Sequence, residues 1–361
     1  MEQVARQADV SVATVSRTFR SPEMTKQQTR RRVLDAAARL NYTPRQRNGS
    51  AAGDSPVSVE KPNALGFLFF ASNSDLNQIN PFYAPLLMGA QEEAGRFGMH
   101  LIVRTALRDE RPNELPQMWR EQAVAGMLLV GAAGPEVLEA YDLHVPAILV
   151  DNRDECATHD CITSGSFDGA MTITRHLIDL GHRRIAFLQD EPKAHSFRDR
   201  YRGYLCALWE AGITPAEGWL LNVPRRTNVE PYLAKLLKLS ERPTAIVAAN
   251  DDNAFAVLAA CRSLGICVPD DMSVVGFDDI SFSIHSYPPL TTMRVDKEQV
   301  GRIAIRRLLA RIDEQKSETI RSPAVNVVVS TVLIKRESCA PPQTIPKSGK
   351  IIPITGVLDE K

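Results

Sequence analysis

The sequence predicts an α/β protein in which a small three-helix headpiece precedes a two-lobed body of doubly wound parallel sheets. Two observations predict this fold. Near the N-terminus, two short amphipathic segments flank a tight turn, and from Ala64 onward short apolar runs alternate with helical stretches. Buried strands that alternate with helices are typical of parallel sheets covered by helices on both faces. A chain of 361 residues is long enough for two or three domains.

Residues 1–46 are predicted to form a helix-turn-helix headpiece. The segments Glu2–Ala8 and Val12–Arg20 are read as two short helices, and a third is signalled by the capping box of Thr25 and Gln28. Two helices that cross at a tight turn and are buttressed by a third form this motif, whose second helix enters the major groove of DNA. The headpiece is therefore a candidate for reading base pairs.

The second helix carries side chains that suit this role. Val12 and Ala13 can contact thymine methyl groups, and Arg17 can donate two hydrogen bonds to guanine. Taken alone, a run rich in Ser, Thr, Val and Ala is equally compatible with an ordinary amphipathic helix. The residues that we expect to contact DNA are Ser11, Val12, Ala13, Thr14, Ser16, Arg17, Arg20, Tyr42 and Arg45.

Charge is segregated along the chain although the whole chain is neutral. Residues 1–53 hold ten basic and four acidic side chains, a net charge of +6, and the remainder carries −6. A basic head on an acidic body indicates a module that binds a polyanion, joined to a body that does not. Arg30, Arg31 and Arg32 can also simply solvate a helix face, which explains some of the charge but not its segregation.

Other features exclude several classes of protein. No apolar run is long enough to span a membrane, and none precedes a cleavage site, so we expect a cytoplasmic protein without a membrane partner. The six cysteines show no C-x-x-C spacing, which predicts neither a zinc site nor a disulfide framework. The motifs G-x-S-x-G and G-K-[ST] are absent, as is a G-x-G-x-x-G after a strand. We therefore expect neither an enzyme nor a cofactor.

Several short motifs occur in an order that resembles the lactose-repressor (LacI/GalR) family. The similarity covers residues 1–338 and is collinear. Each motif is weak alone, and the succession is what makes the resemblance specific. The matching segments are 10–17 (V-S-V-A-T-V-S-R), 40–44 (L-N-Y-T-P), 176–185 (H-L-I-D-L-G-H-R-R-I), 200–204 (R-Y-R-G-Y), 249–251 (A-N-D), 275–279 (V-G-F-D-D), 288–292 (P-P-L-T-T) and 333–338 (L-I-K-R-E-S).

The resemblance implies a periplasmic-binding-protein-like body in which the chain crosses three times between the lobes. Many relatives also form a hinge helix on DNA that pushes a leucine into the minor groove. Here the matching position is Ala51, and Asn48, Gly49 and Ser50 form helices poorly, so we expect no such wedge. The predicted segments are a linker at 47–63, lobe one at 64–163 plus 292–321, lobe two at 164–291 plus 322–338, and a flexible tail at 339–361.

A ligand of the body is expected in the cleft between the lobes, at the carboxyl ends of the strands. Asn250 and Asp278 each stand at the end of an apolar run, where a polar side chain can hydrogen-bond a hydroxylated ligand. Asn250 can also cap the helix that follows it. The resemblance adds Arg200 and Asp168 at positions that contact ligands in relatives, and Phe82, whose ring can stack on a sugar.

Together these features predict a DNA-binding transcriptional regulator, expected to be a repressor, whose operator affinity is controlled by a small polar ligand such as a sugar. A homodimer is expected, which implies a near-palindromic operator in double-stranded DNA. A purine- or nucleoside-type co-repressor is the alternative ligand. A solute-binding protein is the alternative of another class, because it would share the body but lack the basic headpiece.

Overall fold

The structure is a computed structural model whose described part falls into two compact units, residues Met1–Glu60 and Lys61–Lys361. We call them the headpiece and the body. No helix in the described part is both long and apolar enough to cross a membrane. The described residues are 2–20, 25–26, 29–30, 32–33, 36, 62–71, 80–107, 123–131, 145–153, 158–190, 192, 194–316 and 322–343.

The headpiece contains the two predicted helices, α1 (Glu2–Ala8) and α2 (Val12–Arg20). Helical residues of the third segment are described at 29–30, 32–33 and 36. The turn between α1 and α2 places Asp9 at φ 50°, a left-handed conformation that Asp adopts more readily than most residues. A small apolar core joins the three segments and consists of Val4, Ala5, Ala8, Val15, Val33 and Ala36.

One arginine of the basic head has a structural role. The Arg32 guanidinium donates to the carbonyl oxygen of Ala8 from Nε at 3.1 Å and from Nη2 at 2.5 Å, and to that of Asp9 at 2.8 Å. The Ala8 carbonyl ends helix α1 and the Asp9 carbonyl follows it, so neither accepts a hydrogen bond within the helix. Arg32 therefore caps α1 and ties the third segment to the turn.

The body consists of two six-stranded sheets with helices packed on them. Its elements in chain order are β1 (Ala64–Ala71), α3 (Tyr83–Arg96), β2 (His100–Leu107), β3 (Met127–Val130), β4 (Ala147–Val150), β5 (Asp160–Ser164), α4 (Ser166–Asp179), β6 (Ile185–Gln189), α5 (His195–Glu210), β7 (Leu220–Asn222), α6 (Glu230–Leu236), β8 (Ala245–Ala248), α7 (Asp251–Ser263), β9 (Ser273–Asp278), a 3-10 helix (Ser281–Ile284), β10 (Thr291–Val295), α8 (Lys297–Lys316), β11 (Asn326–Val329) and β12 (Thr331–Ile334).

The order of the strands defines the two lobes. Lobe one contains the sheet β11-β5-β4-β3-β1-β2, and lobe two contains the sheet β12-β10-β9-β8-β6-β7. All neighbouring strands run parallel except β12, which is antiparallel to β10. The inner strands read as continuous apolar runs because helices cover both faces of each sheet. All four residues of β3, β4 and β8 are buried.

Two of the predicted lobe boundaries need correction. Strand β10 (Thr291–Val295) still belongs to the sheet of lobe two, so the second crossing follows Val295 and not residue 291. Strand β11 (Asn326–Val329) pairs with β5 in lobe one, so the third crossing lies at Ser330 and not at 321. In both cases backbone pairing continues past the short motif from which the boundary was read.

The predicted tail also begins too early. The Ser338 carbonyl accepts a hydrogen bond from Val274 N at 2.8 Å, and the Ala340 carbonyl faces His182 Nε2 at 2.9 Å. The same His182 ring lies 2.8 Å from Thr244 Oγ1 through its Nδ1. Residues 338–340 are therefore packed on lobe two, and 344–361, like the linker at 47–61, lie outside the described residues.

Candidate functional site

Helix α2 presents one face to the headpiece core and another to solvent. Ser11 caps the helix, because its Oγ accepts a hydrogen bond from Thr14 N at 3.1 Å. Val15 is fully buried, whereas the Val12 side chain is 41 % exposed and Ala13 and Arg17 are also exposed. An exposed valine next to an exposed arginine at the start of a helix suits contact with base edges in the major groove.

Of the remaining residues predicted to contact DNA, some are half-buried and others lie outside the described part of the chain. Thr14 and Ser16 are half-buried on the flank of α2. The Arg20 side chain, Tyr42 and Arg45 lie outside the described residues.

A second candidate site is a cavity of about 70 Å³ that is lined by residues of both lobes. Four of the five predicted ligand-binding residues line it, namely Phe82 from lobe one and Arg200, Asn250 and Asp278 from lobe two. The strand ends bring them together, since Asn250 follows β8 and Asp278 ends β9. This matches the rule that ligands of parallel sheets bind at the carboxyl ends of the strands.

Arg200 and Asp278 form a buried ion pair at the centre of the lobe-two side. Nη2 of Arg200 donates to Asp278 Oδ1 at 2.9 Å, and Nη1 donates to the Ala249 carbonyl at 2.7 Å. The guanidinium carbon lies 3.8 Å from the centroid of the Phe277 ring, which fixes its plane. Nε of Arg200 is buried and has no hydrogen-bond partner among the residues that the structure describes. A buried donor without a partner is costly, and a ligand oxygen would satisfy it.

Asp278 is an unusual carboxylate. It is 7 % exposed, and burial raises its pKa to about 7 against the opposing charge of Arg200. Its backbone adopts φ 114°, a strained value for a residue other than glycine. A carboxylate that is incompletely neutralised within the protein favours ligands that supply hydrogen-bond donors.

Asn250 caps helix α7, one of the two roles that its sequence position allows. Its Oδ1 accepts a hydrogen bond from Asn253 N at 2.8 Å at the start of α7. The side chain also lines the cavity, and its Nδ2 makes no hydrogen bond with a described residue. Capping and ligand contact are therefore compatible at this position.

Lobe one contributes aromatic rings and a second carboxylate. The Phe82 and Tyr83 rings pack edge to face with centroids 4.9 Å apart, and Asn80 Oδ1 accepts from Phe82 N at 2.8 Å. Tyr83 OH donates to Asp151 Oδ2 at 2.6 Å. Asp151 was not identified from the sequence, although it directly follows β4, and Asn250 similarly stands two residues after the end of β8. The other lining residues that were not identified include Tyr83, Asp190, Ser196, Phe197, Arg225 and Asp252.

Asp168 lies elsewhere than predicted. It stands in the first turn of α4, is exposed, and does not line the cavity. The reason is helical phase. Gly169 is buried against Phe277 and Thr331, and a residue one position earlier on a helix points about 100° away, which here is toward solvent.

A third carboxylate, that of Asp251, is buried next to the site and stabilises the segment that forms it. Asp251 is fully buried and accepts hydrogen bonds from Ile280 N at 2.9 Å, Ser283 Oγ at 2.5 Å and Thr292 Oγ1 at 2.5 Å. Burial raises its pKa to about 6 although these donors oppose the shift. Asp251 thus fixes the segment that follows Asp278.

The described residues contain no group of three or more His, Cys, Asp or Glu side chains that could hold a metal ion. The chemistry of the two sites is that of hydrogen bonding, stacking and charge.

Comparison with known proteins agrees with this architecture. Residues 1–45 match the family model described as "Bacterial regulatory proteins, lacI family", and residues 174–339 match that of a periplasmic binding protein-like domain. The HTH-type transcriptional repressor PurR of Mannheimia succiniciproducens is 30 % identical over 334 residues, which cover 89 % of this chain and 94 % of that protein. PurR of Photobacterium profundum is 30 % identical over 323 residues, 88 % and 93 % of the two chains.

Solved structures give the same result. The complex of the transcriptional regulator CelR with cellobiose has a TM-score of 0.66 at 26 % identity and covers 93 % of this chain and 98 % of that one. A LacI family transcriptional regulator from Mycobacterium smegmatis has a TM-score of 0.66 at 26 % identity and covers 77 % and 100 %. These relatives are regulators and not enzymes. The chain belongs to the LacI family of bacterial regulatory proteins.

Proposed function

We propose that this protein, a DNA-binding repressor under ligand control, takes a small uncharged sugar as its effector in the cleft between its lobes. The observation that carries the proposal is the buried Arg200–Asp278 pair, which lines the cavity. It offers a donor, Nε, that has no partner among the described residues, and an incompletely neutralised carboxylate. A sugar hydroxyl both donates and accepts, so it can satisfy both groups.

The rest of the cavity supports the same class of ligand. Carboxylates of Asp151, Asp190 and Asp252 line it and offer further acceptors for hydroxyl groups. Phe82 and Phe197 supply ring faces from opposite lobes, which suit the apolar face of a sugar. The structural relative CelR was solved with cellobiose. Four aspartates and two arginines, Arg200 and Arg225, line the cavity, so an anionic effector would meet more carboxylates than cations there.

A purine- or nucleoside-type effector is the second candidate. The aromatic side chains Phe82 and Phe197, one from each lobe, can also enclose a planar ring. The two classes differ in their polar groups, because a base presents fewer hydroxyl donors to the carboxylates than a sugar does.

Operator binding is proposed to depend on the exposed face of α2 in a homodimer. Arg17→Ala is expected to cost about 1–3 kcal/mol on the cognate duplex and to relax its preference at one base pair. Lys26→Ala is the matched control, because loss of an exposed lysine outside α2 changes affinity for all duplexes alike. Equal binding of wild type to selected and random duplexes at physiological salt would contradict this part of the proposal.

The surface of the body offers apolar side chains that suit a second copy of the chain. Phe282, Ile284 and Tyr287 of lobe two are 67 %, 57 % and 81 % exposed. In lobe one, Met88 and Phe97 are 68 % and 57 % exposed. Two copies that bind with matched patches are related by a twofold axis, and this symmetry implies a near-palindromic operator.

The effector proposal is tested by a thermal-shift screen of the full-length chain against paired neutral sugars, their phosphates, nucleobases and nucleosides. A ligand of the native state raises the melting temperature by mass action. We expect a neutral sugar to do so, with the shift lost in Asp278→Ala and kept in Asp270→Ala, which alters an exposed turn of the same lobe. A hit confined to nucleobases or nucleosides would replace the sugar by the second candidate.

A further inference from the structure

The turn after strand β9 is strained and heavily anchored. Asp278 and Asp279 adopt φ 114° and 49°, so that two successive residues other than glycine lie in the left-handed region. Such conformations persist only where the surroundings hold them. We call this turn the Asp278–Asp279 corner.

Three arginines bind the two carboxylates of the corner. Arg200 holds Asp278, as described above. Arg294 Nε donates to Asp279 Oδ2 at 2.7 Å, and Arg336 Nη2 donates to Asp279 Oδ1 at 2.6 Å. Burial opposes ionisation of Asp279, but these two arginines outweigh it and lower its pKa. All three arginines belong to lobe-two segments, so they fix the corner within its own lobe.

The fourth cation binds the backbone of the corner. Nζ of Lys297 donates to the Asp278 carbonyl at 2.5 Å and lies 3.3 Å from the carbonyl oxygens of Asp279 and Val295. The residue is 5 % exposed, and Nζ lies 5.8 Å from the centroid of the Phe82 ring, which lines the cavity. Among the described residues no carboxylate oxygen pairs directly with this ammonium, so carbonyl dipoles stabilise its charge.

The backbone of Lys297 belongs to the other lobe. It begins helix α8, immediately after the second crossing. Helix α8 is locked to α3 of lobe one by close backbone contact: a Cβ at Gly89 would lie 2.2 Å from the Glu298 carbonyl, and one at Gly301 would lie 2.1 Å from that of Leu86. The lysine therefore reaches from lobe one into a strained turn of lobe two.

We infer that Lys297 is a positioning residue that couples the effector site to movement of the lobes. It holds Asp278 in the conformation in which that residue faces the cavity. Its own backbone belongs to lobe one, whereas Asp278 belongs to lobe two. Rotation of the lobes displaces the ammonium from the corner, and a ligand that fixes Asp278 resists that rotation, as linkage requires. The inference rests on the proposed function of the cleft as the effector site.

The test is hydrogen–deuterium exchange on the full-length chain without ligand or DNA, comparing wild type with Lys297→Met. Methionine keeps most of the buried stem and removes the ammonium. We expect exchange to accelerate about tenfold or more at the Ile280 amide beyond the corner and at the Val300 amide in the first turn of α8. The core strand β6 should be unchanged, and Lys297→Arg should restore much of the protection.

Unchanged exchange at Ile280 in Lys297→Met would overturn the inference, and so would acceleration at Ile280 without any at Val300, because that is local support without coupling. If Lys297→Met unfolds, Lys297→Gln replaces it, with the same two amides as readout. Lys235→Met, which removes an exposed lysine from α6, should change neither amide.

A second arm uses the sugar identified by the screen. Lys297→Met should raise the effector concentration at half-response about tenfold or more, measured against the operator affinity of the same variant without effector. An unchanged half-response would overturn the coupling. Because the exchange experiment needs neither effector nor operator, failure of the proposed function and failure of this inference give different results.

Discussion

Asp160 and Asp278 are both buried aspartates at strand ends, yet they are satisfied very differently. Asp160, at the start of β5, accepts hydrogen bonds from Arg311 at 2.6 and 2.7 Å, from Val325 N at 2.8 Å and from Arg307. Burial would raise its pKa, but these donors outweigh burial and lower it to about 2. Among the described residues one arginine, Arg200, pairs with Asp278, and burial raises the pKa of this carboxyl to about 7.

This difference in hydrogen bonding and pKa indicates that Asp160 has a structural role and that Asp278 is suited to binding a ligand. Asp160 lies at the amino end of its strand, away from the cavity, and its donors tie α8 and the segment before β11 to the sheet. Asp278 lies at the carboxyl end of β9 and keeps part of its bonding capacity for the cavity. Burial alone does not indicate function, whereas burial with incomplete satisfaction does.

The largest expected effect is the loss of stability when Asp160, whose carboxylate is fully hydrogen-bonded, is replaced. Asp160→Asn should lower the free energy of unfolding by about 3–5 kcal/mol, because it leaves the guanidinium groups of Arg307 and Arg311 without their buried anion. Chemical denaturation measures this loss. The matched control Asp270→Asn, in an exposed turn, should cost almost nothing. If Asp160→Asn lowered the free energy of unfolding as little as the control does, Asp160 would not be the structural carboxylate that its hydrogen bonds indicate.

The second effect concerns Asp251, the carboxylate that supports the corner through neutral donors. Thr292→Val keeps the shape of the side chain and removes one donor, so we expect a loss of about 1.5–3 kcal/mol. Exposed Thr227→Val is the control. If both variants have the same denaturation midpoint, the hydrogen bond to Asp251 contributes nothing to stability.

The third effect is a dependence on pH. Because the pKa of Asp278 rises from 3.8 to about 7 on folding, the native state binds more protons than the unfolded state between these values. Asp278 therefore lowers stability as pH rises through this window. Relative to Asp278→Asn, wild type should lose about 2 kcal/mol between pH 5 and 7.

Parallel stability curves for wild type and Asp278→Asn over that range would show that Asp278 is ionised normally in the native state. Asp160 should act in the opposite direction and in another window. Its lowered pKa contributes stability that is lost as pH falls from about 4 toward 2.

The smallest effect belongs to an exposed ion pair. Arg175 binds Glu210 through Nη2 and Nε, and their side chains are 46 % and 42 % exposed. Glu210→Gln should change the free energy of unfolding by about 0–1 kcal/mol, since solvent screens the pair. A loss comparable to that of Asp160→Asn would mean that burial does not distinguish the two ion pairs.

The sequence reveals one of the two carboxylates and not the other. Asp278 follows an apolar run and lies within a motif, so both pattern and resemblance point to it. Asp160 and its partner Arg311 are 151 residues apart, and their contact exists only because α8 packs on lobe one after the second crossing. No local pattern predicts such a pairing.

Local sequence patterns also decide which strands and site residues could be predicted. The inner strands of both sheets were predictable because they are buried on both faces and therefore apolar throughout. Strand β5 carries Asp160 and Ser164 at its ends, and the edge strand β7 is mostly exposed, so neither shows that pattern. Asp168 was placed by resemblance, which did not resolve the helical phase that turns its side chain outward.

The most direct test of the account is the affinity of a labelled operator duplex, measured by fluorescence anisotropy against concentration of the identified sugar. Wild type, Asp278→Ala and Asp270→Ala are compared. We expect Asp278→Ala to bind the operator normally without sugar and to need about tenfold or more sugar for half-response. The control should match wild type. An Asp278→Ala protein with an unchanged half-response would contradict the assignment of the cleft as the effector site.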